Sequence, residues 1–244
     1  MADTKTAGII IIGNEILSGK VRDENSHFLS GELRTLGIDV KRITIIPDDI
    51  ETVGKEAVQF SKSYDYVFTS GGVGPTHDDV TIAAIASGFG VSLVRNEKIR
   101  NLLLSRYHKE PNAALLKMTE IPEGSNLVFQ ENMRFPVISF KNIFIFPGIP
   151  EYFQNKFLAI KEQFRSDAFH LKRIFLNSHE TEIAEVLNSV VSTNNGVEFG
   201  SYPILGEPEY RIIITAESKF EESLNKAVDE LLKKLPSDVI IGVE

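Results

Sequence analysis

Residues 7–12 (Ala-Gly-Ile-Ile-Ile-Ile) carry no polar side chain, and Gly13 ends the run. A strand with one wet face alternates apolar and polar residues. An unbroken run predicts a strand covered on both faces, as in a parallel sheet. A polar, glycine-punctuated loop follows over residues 13–25. Phe28, Leu29, Leu33 and Leu36 then recur at helical spacing, and Gly37 marks the helix stop. Residues 40–46 read as a second strand. Pro47-Asp48-Asp49 caps a helix carrying Ile50, Val53, Ala57 and Phe60 on one face. Residues 66–69 form a third strand, which runs into Ser70-Gly71-Gly72-Val73-Gly74. Pro75-Thr76 is expected to start the next helix, with Asp78 and Asp79 in its first turn. Val80, Ala83, Ala84 and Ser87 are expected to face the core, and Gly88 and Gly90 to end that helix.

The order βαβαβα predicts a doubly wound, mostly parallel sheet in a three-layer α/β domain. Ligands in such sheets sit beyond the carboxyl ends of the strands, so the loops at residues 13–25 and 70–79 both qualify. Further on, residues 97–108 read as an amphipathic helix (Ile99, Leu102, Leu103, Tyr107). Residues 111–117 form a short helical piece and residues 120–125 a turn-rich link. Two apolar runs flank Lys141-Asn142, which suggests a hairpin. Its second arm enters Pro147-Gly148-Ile149-Pro150, followed by a helix with Phe153, Phe157, Ile160 and Phe164. From residue 168 the pattern becomes βαββαβ, that of a small ferredoxin-like α+β module. The expected domains are 1–167 and 168–244.

Composition narrows the functional classes. The chain has 244 residues, 42% hydrophobic and 25% charged, as in an ordinary globular protein. Its net charge of −8 makes a nucleic-acid backbone an unfavourable partner. It contains no cysteine, so any metal must be held by oxygen or imidazole nitrogen. No apolar run reaches membrane-spanning length, and a cytoplasmic location is expected.

Three glycines within four positions at a strand end give an open backbone path, the local form of a phosphate cradle. Two carboxylates, Asp78 and Asp79, follow where a phosphate would dock. They repel it unless a cation intervenes, which points to a metal-bridged phosphate site. The plainer reading of both acids is helix capping. His77 is either a ligand or acid–base group or a solvated loop residue. Lys20 and Arg22 are phosphate clamps or surface charges. Glu15, Asp23 and Asn25 add oxygen donors to the first loop. Ser70 and Thr69 offer hydroxyls, but no Gly-x-Ser-x-Gly elbow, Walker A sequence or Gly-x-Gly-x-x-Gly follows a strand. Pro147, Gly148 and Pro150 form either a turn or one pocket wall. In the tail, Gly200-Ser-Tyr-Pro203 and residues 207–211 make a polar and aromatic patch, read as a staple between strands.

Residues 69–81 (Thr-Ser-Gly-Gly-Val-Gly-Pro-Thr-His-Asp-Asp-Val-Thr) and Phe146-Pro-Gly-Ile-Pro150 resemble the signatures of the molybdopterin-binding-like domain family. Gly13-Asn-Glu-Ile-Leu-Ser-Gly19 and Gly200-Ser-Tyr-Pro203 resemble the branch that holds the amino-terminal domains of CinA-type proteins and of eukaryotic FAD synthase. The resemblance spans nearly the whole chain. It implies a divalent-metal-dependent pyrophosphatase that splits FAD or ADP-ribose and releases AMP, or else a pterin or nucleotide binding module in cofactor assembly. It implies Mg²⁺, Mn²⁺ or Co²⁺ at Asp78 and Asp79, with K⁺ as an additional cation. His77 or the second aspartate would be the base. The substrate would lie against Gly13, Asn14, Glu15, Lys20, Asn25, Ser70, Gly71, Gly72, Val73, Gly74, Thr76, Pro147, Gly148 and Pro150. A homo-oligomer, with a dimer favoured, is implied as well. Asn14 stands where relatives often have Asp or Thr. The adenylyltransferase domain of FAD synthase and the deamidase domain of CinA proteins are not found in this sequence, so neither of those activities is expected of it.

Overall fold

The computed structural model describes residues 4–107, 112–130, 133–206 and 209–244. The chain divides into two compact units between Ser166 and Asp167. The expected helix end at His108, the start of the short helical piece at Pro111, and Glu207 and Pro208 of the tail patch lie outside the described residues.

The first unit is built on a six-stranded sheet. Its strands are β1 (Thr6–Ile12), β2 (Asp39–Ile46), β3 (Tyr66–Ser70), β6 (Asn126–Val128), β7 (Val137–Phe140) and β8 (Ile143–Phe146), in the order β2-β1-β3-β8-β7-β6. The pairs β1–β2, β1–β3 and β3–β8 are parallel, and the hairpin side, β8–β7 and β7–β6, is antiparallel. The unbroken isoleucine run is explained by burial on both sides. Ile9 and Ile11 join the core formed with α2 (Asn25–Thr35) and α7 (Pro150–Ile160) through Leu29, Leu33, Phe153 and Phe157. Ile10 and Ile12 join the core formed with α3 (Ile50–Ser63) and α4 (Thr81–Phe89) through Val53, Ala57, Phe60, Ala84 and Ile85. At about 25 cal/mol per Å² of apolar surface, each such isoleucine contributes roughly 1.5–3 kcal/mol. Asp49 caps α3 by accepting the Thr52 N–H at 2.8 Å. The hairpin turn is made by Lys141, whose φ of 52° lies in the left-handed region. Asn142 earns its place through its side chain, which donates to the Ser61 and Tyr64 carbonyls at 3.1 and 2.8 Å.

Several elements differ from the expectation. A short α1 (Asn14–Leu17) sits inside the first loop. The expected link at residues 120–125 contains β5 (Glu120–Pro122), which pairs with β4 (Leu93–Arg95) beside α5 (Glu97–Tyr107) and α6 (Ala113–Lys117). These strands are only three residues long, below the length at which alternation is readable. Helix α4 begins at Thr81, not at Pro75-Thr76. Its buried residues are Thr81, Ala84, Ile85 and Ala86, while Ser87 is exposed. Gly90 (φ 67°) ends it, as expected, but Gly88 lies within it. A Cβ at Gly88 would come 2.5 Å from the Gly54 carbonyl oxygen of α3. The residue is there to let two helices cross, which the sequence does not distinguish from a helix stop.

The second unit runs β9 (His170–Leu176), α8 (Glu180–Thr193), β10 (Glu198–Pro203), β11 (Ile212–Ser218), α9 (Glu221–Lys234) and β12 (Ile240–Val243). Its sheet is wholly antiparallel in the order β10-β11-β9-β12, the ferredoxin-like arrangement. Ile174, Leu176, Ile212 and Ile214 pack against Ile183, Val190, Leu224, Val228 and Leu231 of the two helices. Tyr210 lies edge-on to Phe175, with ring centres 5.1 Å apart, and Arg211 meets the His179 ring nitrogen at 2.8 Å. The tail patch therefore staples strands together. Among the described residues no helix is long and apolar enough to cross a membrane.

Two tests follow from this packing. Alanine exceeds glycine in helix propensity by about 1 kcal/mol, yet Gly88→Ala is expected to destabilise the protein by about 1–3 kcal/mol through the clash with Gly54. Urea unfolding decides it, and a stabilised variant would disprove the close crossing. The second test concerns Lys156 on α7, which donates to the Phe135 and Pro136 carbonyls at 2.8 and 2.6 Å. Burial lowers its pKa from 10.5 to about 8. The unfolded chain then holds the proton over a range where the native chain has lost it, so stability rises from about pH 8 toward the unfolded pKa. Wild type should gain up to about 3 kcal/mol over Lys156→Met across that window. A flat difference between the two proteins would mean that the carbonyls keep the ammonium charged.

Candidate functional site

Three parallel strands end side by side, and one glycine takes up the crowding there. Gly71, just past β3, has φ +105°, and a Cβ on it would stand 2.1 Å from the Ile12 carbonyl oxygen of β1. Its N–H donates to the Phe146 carbonyl of β8 at 3.2 Å. A Cβ on Gly148 would lie 3.3 Å from the Gly71 Cα. The loops after β1, β3 and β8 are thus in contact at Gly71, and a side chain there would push them apart. Gly72 (φ +64°) is also in the left-handed region, and its missing Cβ makes room for the Thr81 hydroxyl.

Thr81 sets where the helix begins. Its hydroxyl donates to the Gly71 carbonyl at 2.8 Å and its N–H to the Gly72 carbonyl at 2.9 Å. The helix start is therefore tied back onto the glycine turn. Residues 74–80 form a separate loop, and Asp78 and Asp79 do not cap α4. Within that loop the Thr76 N–H donates to Asp79 Oδ2 at 2.7 Å. The Thr76 hydroxyl lies within hydrogen-bond reach of Asp79 Oδ2, at 2.6 Å, and also of Asp78 Oδ1. One hydroxyl carries one proton, so it can serve only one of the two carboxylates at a time. The Thr76 hydroxyl, followed by the local backbone N–H, holds the Asp78 carboxyl below the usual carboxylate range, helped by His77 and Lys117. His77 is 97% exposed, with Nδ1 3.9 Å from Asp78 Oδ1. The N–H groups of Gly72, Val73 and Gly74 have no acceptor among the described residues.

The first loop meets this turn through Asn25, the opening residue of α2. Asn25 is 5% exposed and donates to Ser70 Oγ at 2.9 Å and to the Gly148 carbonyl at 2.8 Å. Ser70 Oγ lies 3.4 Å from the Pro147 carbonyl. Glu15, Arg22, Asn25, Ser70, Gly148 and Pro150 line one recess of about 50 Å³. A Cβ on Gly13 would collide with the Glu15 carboxylate, which folds over that backbone. Pro150 opens α7, where its fixed φ suits the first helical position.

Not every expected residue converges. Lys20 is exposed, with no ion pair among the described residues. Asn14 is exposed and its N–H donates to Asp48 at 2.8 Å. Asp23 is engaged with Ser26, whose N–H it accepts at 3.1 Å, and so serves the start of α2. Among the described residues, no three of His, Asp and Glu come together as a metal shell. A cation at the acidic turn would have two carboxylates and would need ligand oxygens or water to complete its sphere, the usual habit of Mg²⁺ beside a phosphate. Asp79 Oδ1 has no hydrogen-bond partner among the described residues, so the donor set fits such an ion. Two participants escape the sequence. Lys117 of α6 donates to the Thr76 carbonyl at 2.5 Å from 41 positions away, and Asp48 anchors Asn14; no local pattern signals either contact.

Residues 8–165 match the family described as "Probable molybdopterin binding domain", and residues 168–244 match "FAD synthase, middle domain". A protein of Archaeoglobus fulgidus is 36% identical over 91% of this chain and 94% of its own length. A "Probable FAD synthase" of Caenorhabditis elegans is 30% identical over 98% of this chain but 52% of its own length, so this chain spans about half of that relative. A "CinA-like protein" of Fusobacterium nucleatum is 30% identical over 97% of this chain and 60% of its own length. Among solved structures, the protein CinA of Thermoplasma acidophilum, described as of unknown function, superposes with a TM-score of 0.62. It is 27% identical over 67% of this chain and 99% of its own. Fold, motifs and relatives agree: the chain belongs to the molybdopterin-binding domain family, in the branch that includes CinA-like proteins and FAD synthases.

Proposed function

We propose that this protein is a divalent-metal-dependent pyrophosphatase, which hydrolyses the diphosphate of FAD or ADP-ribose and releases AMP. The observation that carries the proposal is the acidic turn. Asp78 and Asp79 converge on the single hydroxyl of Thr76, directly after a backbone stretch with free N–H groups at Gly72, Val73 and Gly74. Free N–H groups suit phosphate oxygens, and paired carboxylates beside them suit the cation that accompanies a diphosphate. The names of relatives in the FAD synthase branch fit a nucleotide ligand of this kind.

In the reaction, water adds to one phosphorus and the bridging P–O bond breaks. FAD yields AMP and FMN, and ADP-ribose yields AMP and ribose 5-phosphate. When bound, Mg²⁺, Mn²⁺ or Co²⁺ supplies charge neutralisation and Lewis-acid polarisation. Asp78 and Asp79 are its ligands. The N–H groups of residues 72–74 bind the oxygens on which charge accumulates. Ser70, Gly148 and Asn25 keep the neighbouring loop in register. Asp78 is a weak base, because its pKa is lowered; the base is assigned to His77, whose Nδ1 stands 3.9 Å from Asp78 Oδ1. The exposure of His77, at 97%, favours a second reading, a pterin or nucleotide binding module without turnover.

Purified protein mixed with FAD or ADP-ribose and each of the three metals should release AMP, and EDTA should stop it. Tight binding without AMP under every metal selects the second reading. Asp78→Asn and Asp79→Asn should each lower kcat by about 100-fold or more; turnover unchanged in both would remove the proposed metal role. A lowered Asp78 pKa keeps that carboxylate ionised down to its folded-state value. Protonation of Asp78 should therefore cost no metal affinity between pH 7 and pH 5, which calorimetric titration of Mn²⁺ would show.

A further inference from the structure

The Asn25 amide is oriented without ambiguity. A backbone carbonyl cannot donate, so the atom 2.8 Å from the Gly148 oxygen must be the amide nitrogen. The second N–H of that nitrogen is used on Ser70 Oγ. Oδ1 is therefore the remaining face of the side chain. It is buried without a hydrogen-bond partner, in a residue that is 5% exposed and lines the recess. Buried acceptors of this kind are rare in a folded chain, and each calls for a missing donor.

We infer that Asn25 is a specificity residue whose Oδ1 accepts a hydrogen bond from a sugar hydroxyl of the ligand. This rests on the nucleotide diphosphate reading above. The recess is small, about 50 Å³, and has room for a hydroxyl-bearing edge. Glu15, Asp23 and Glu24 share its lining with Arg22, so an anionic phosphate is disfavoured there and a neutral donor is accepted. Gly71, which touches both Ile12 and Gly148, joins the recess to the glycine turn. A diphosphate laid over residues 72–74 thus places an adjoining sugar toward Asn25. The amide is held by a strand end on one side and a loop carbonyl on the other, so it cannot rotate to offer a donor instead.

Calorimetric titration with Mg²⁺ present tests this through affinity, with released AMP measured in the same sample. The probes are ADP-ribose and its analogues lacking the hydroxyls of one ribose or the other. Removing the hydroxyls of one ribose should weaken binding to wild type by about 10- to 100-fold. In Asn25→Leu, which lacks the acceptor, the parent and that analogue should bind alike. If the variant does not fold, the wild-type series alone decides. Equal affinity of wild type for ADP-ribose and every deoxy analogue overturns the inference, and AMP release in that same sample leaves the pyrophosphatase reading intact. Selective loss with a deoxy analogue but no AMP has the opposite meaning: the inference stands and the hydrolase reading falls.

Discussion

The approach of the Gly71 backbone to the Ile12 carbonyl is the constraint on which the rest of the site depends. Parallel strands β1, β3 and β8 end at one level, and a parallel sheet brings its ligand loops to that edge. Side-by-side ends alone would leave three independent loops. Gly71 makes them one surface, because its N–H binds the end of β8, its Cα fills the space a Cβ on Gly148 would need, and its missing Cβ admits Ile12. Any L side chain at φ +105° would be strained and would also strike a backbone oxygen, which cannot move without displacing β1. The glycine is thus required twice, by torsion and by space.

Much of this framework was legible from local pattern. The isoleucines of β1 announce a strand covered on both faces, and the burial of Ile9 and Ile11 on one side and Ile10 and Ile12 on the other is the physical content of that signal. Asp49 before α3 and Gly37 after α2 act as the cap and stop that their types suggest. Failures occurred where a tertiary contact decides a local question. Pro75-Thr76 followed by two acids satisfies every local criterion for a helix start. The helix nevertheless begins at Thr81, since Thr81 alone reaches the Gly71 and Gly72 carbonyls. Gly88 looks like a terminator and is a crossing point. Asp23 looks like a ligand oxygen and is spent on Ser26. Lys117 gives no hint of its position near Thr76, because the contact spans 41 residues.

The sheet edge divides into two regions of different physical character. The recess at Asn25 is floored by the buried residues Ile11, Ile12, Asn25 and Ser70, with both amide N–H groups of Asn25 committed. Such a site is rigid, and rigidity favours discrimination, since a mismatched group leaves a buried acceptor unpaired. The acidic turn is the reverse. Thr76, His77 and Asp78 are exposed, and the turn is held by its own hydrogen bonds and by Lys117. An exposed turn keeps water at hand and lets carboxylates adjust to an incoming ion, which a closed site would not.

Charge explains why both regions are needed. The chain carries a net charge of −8, and two aspartates stand at the very edge where an anionic ligand would arrive. Lys117 offsets part of that charge, but its ammonium is aimed at the Thr76 carbonyl rather than outward. Among the described residues, Lys20 and Arg22 are the cations of the first loop, and both are exposed, where screening leaves little long-range attraction. An anion drawn in by side-chain charge alone would therefore gain little here. What the edge does offer is fixed polar geometry: three backbone N–H groups at residues 72–74 and one buried carbonyl of an amide. Affinity in such a site must come from directed hydrogen bonds and a cation brought with the ligand. Selection then depends on shape and donor pattern, and binding loses less to salt than it would in a basic groove.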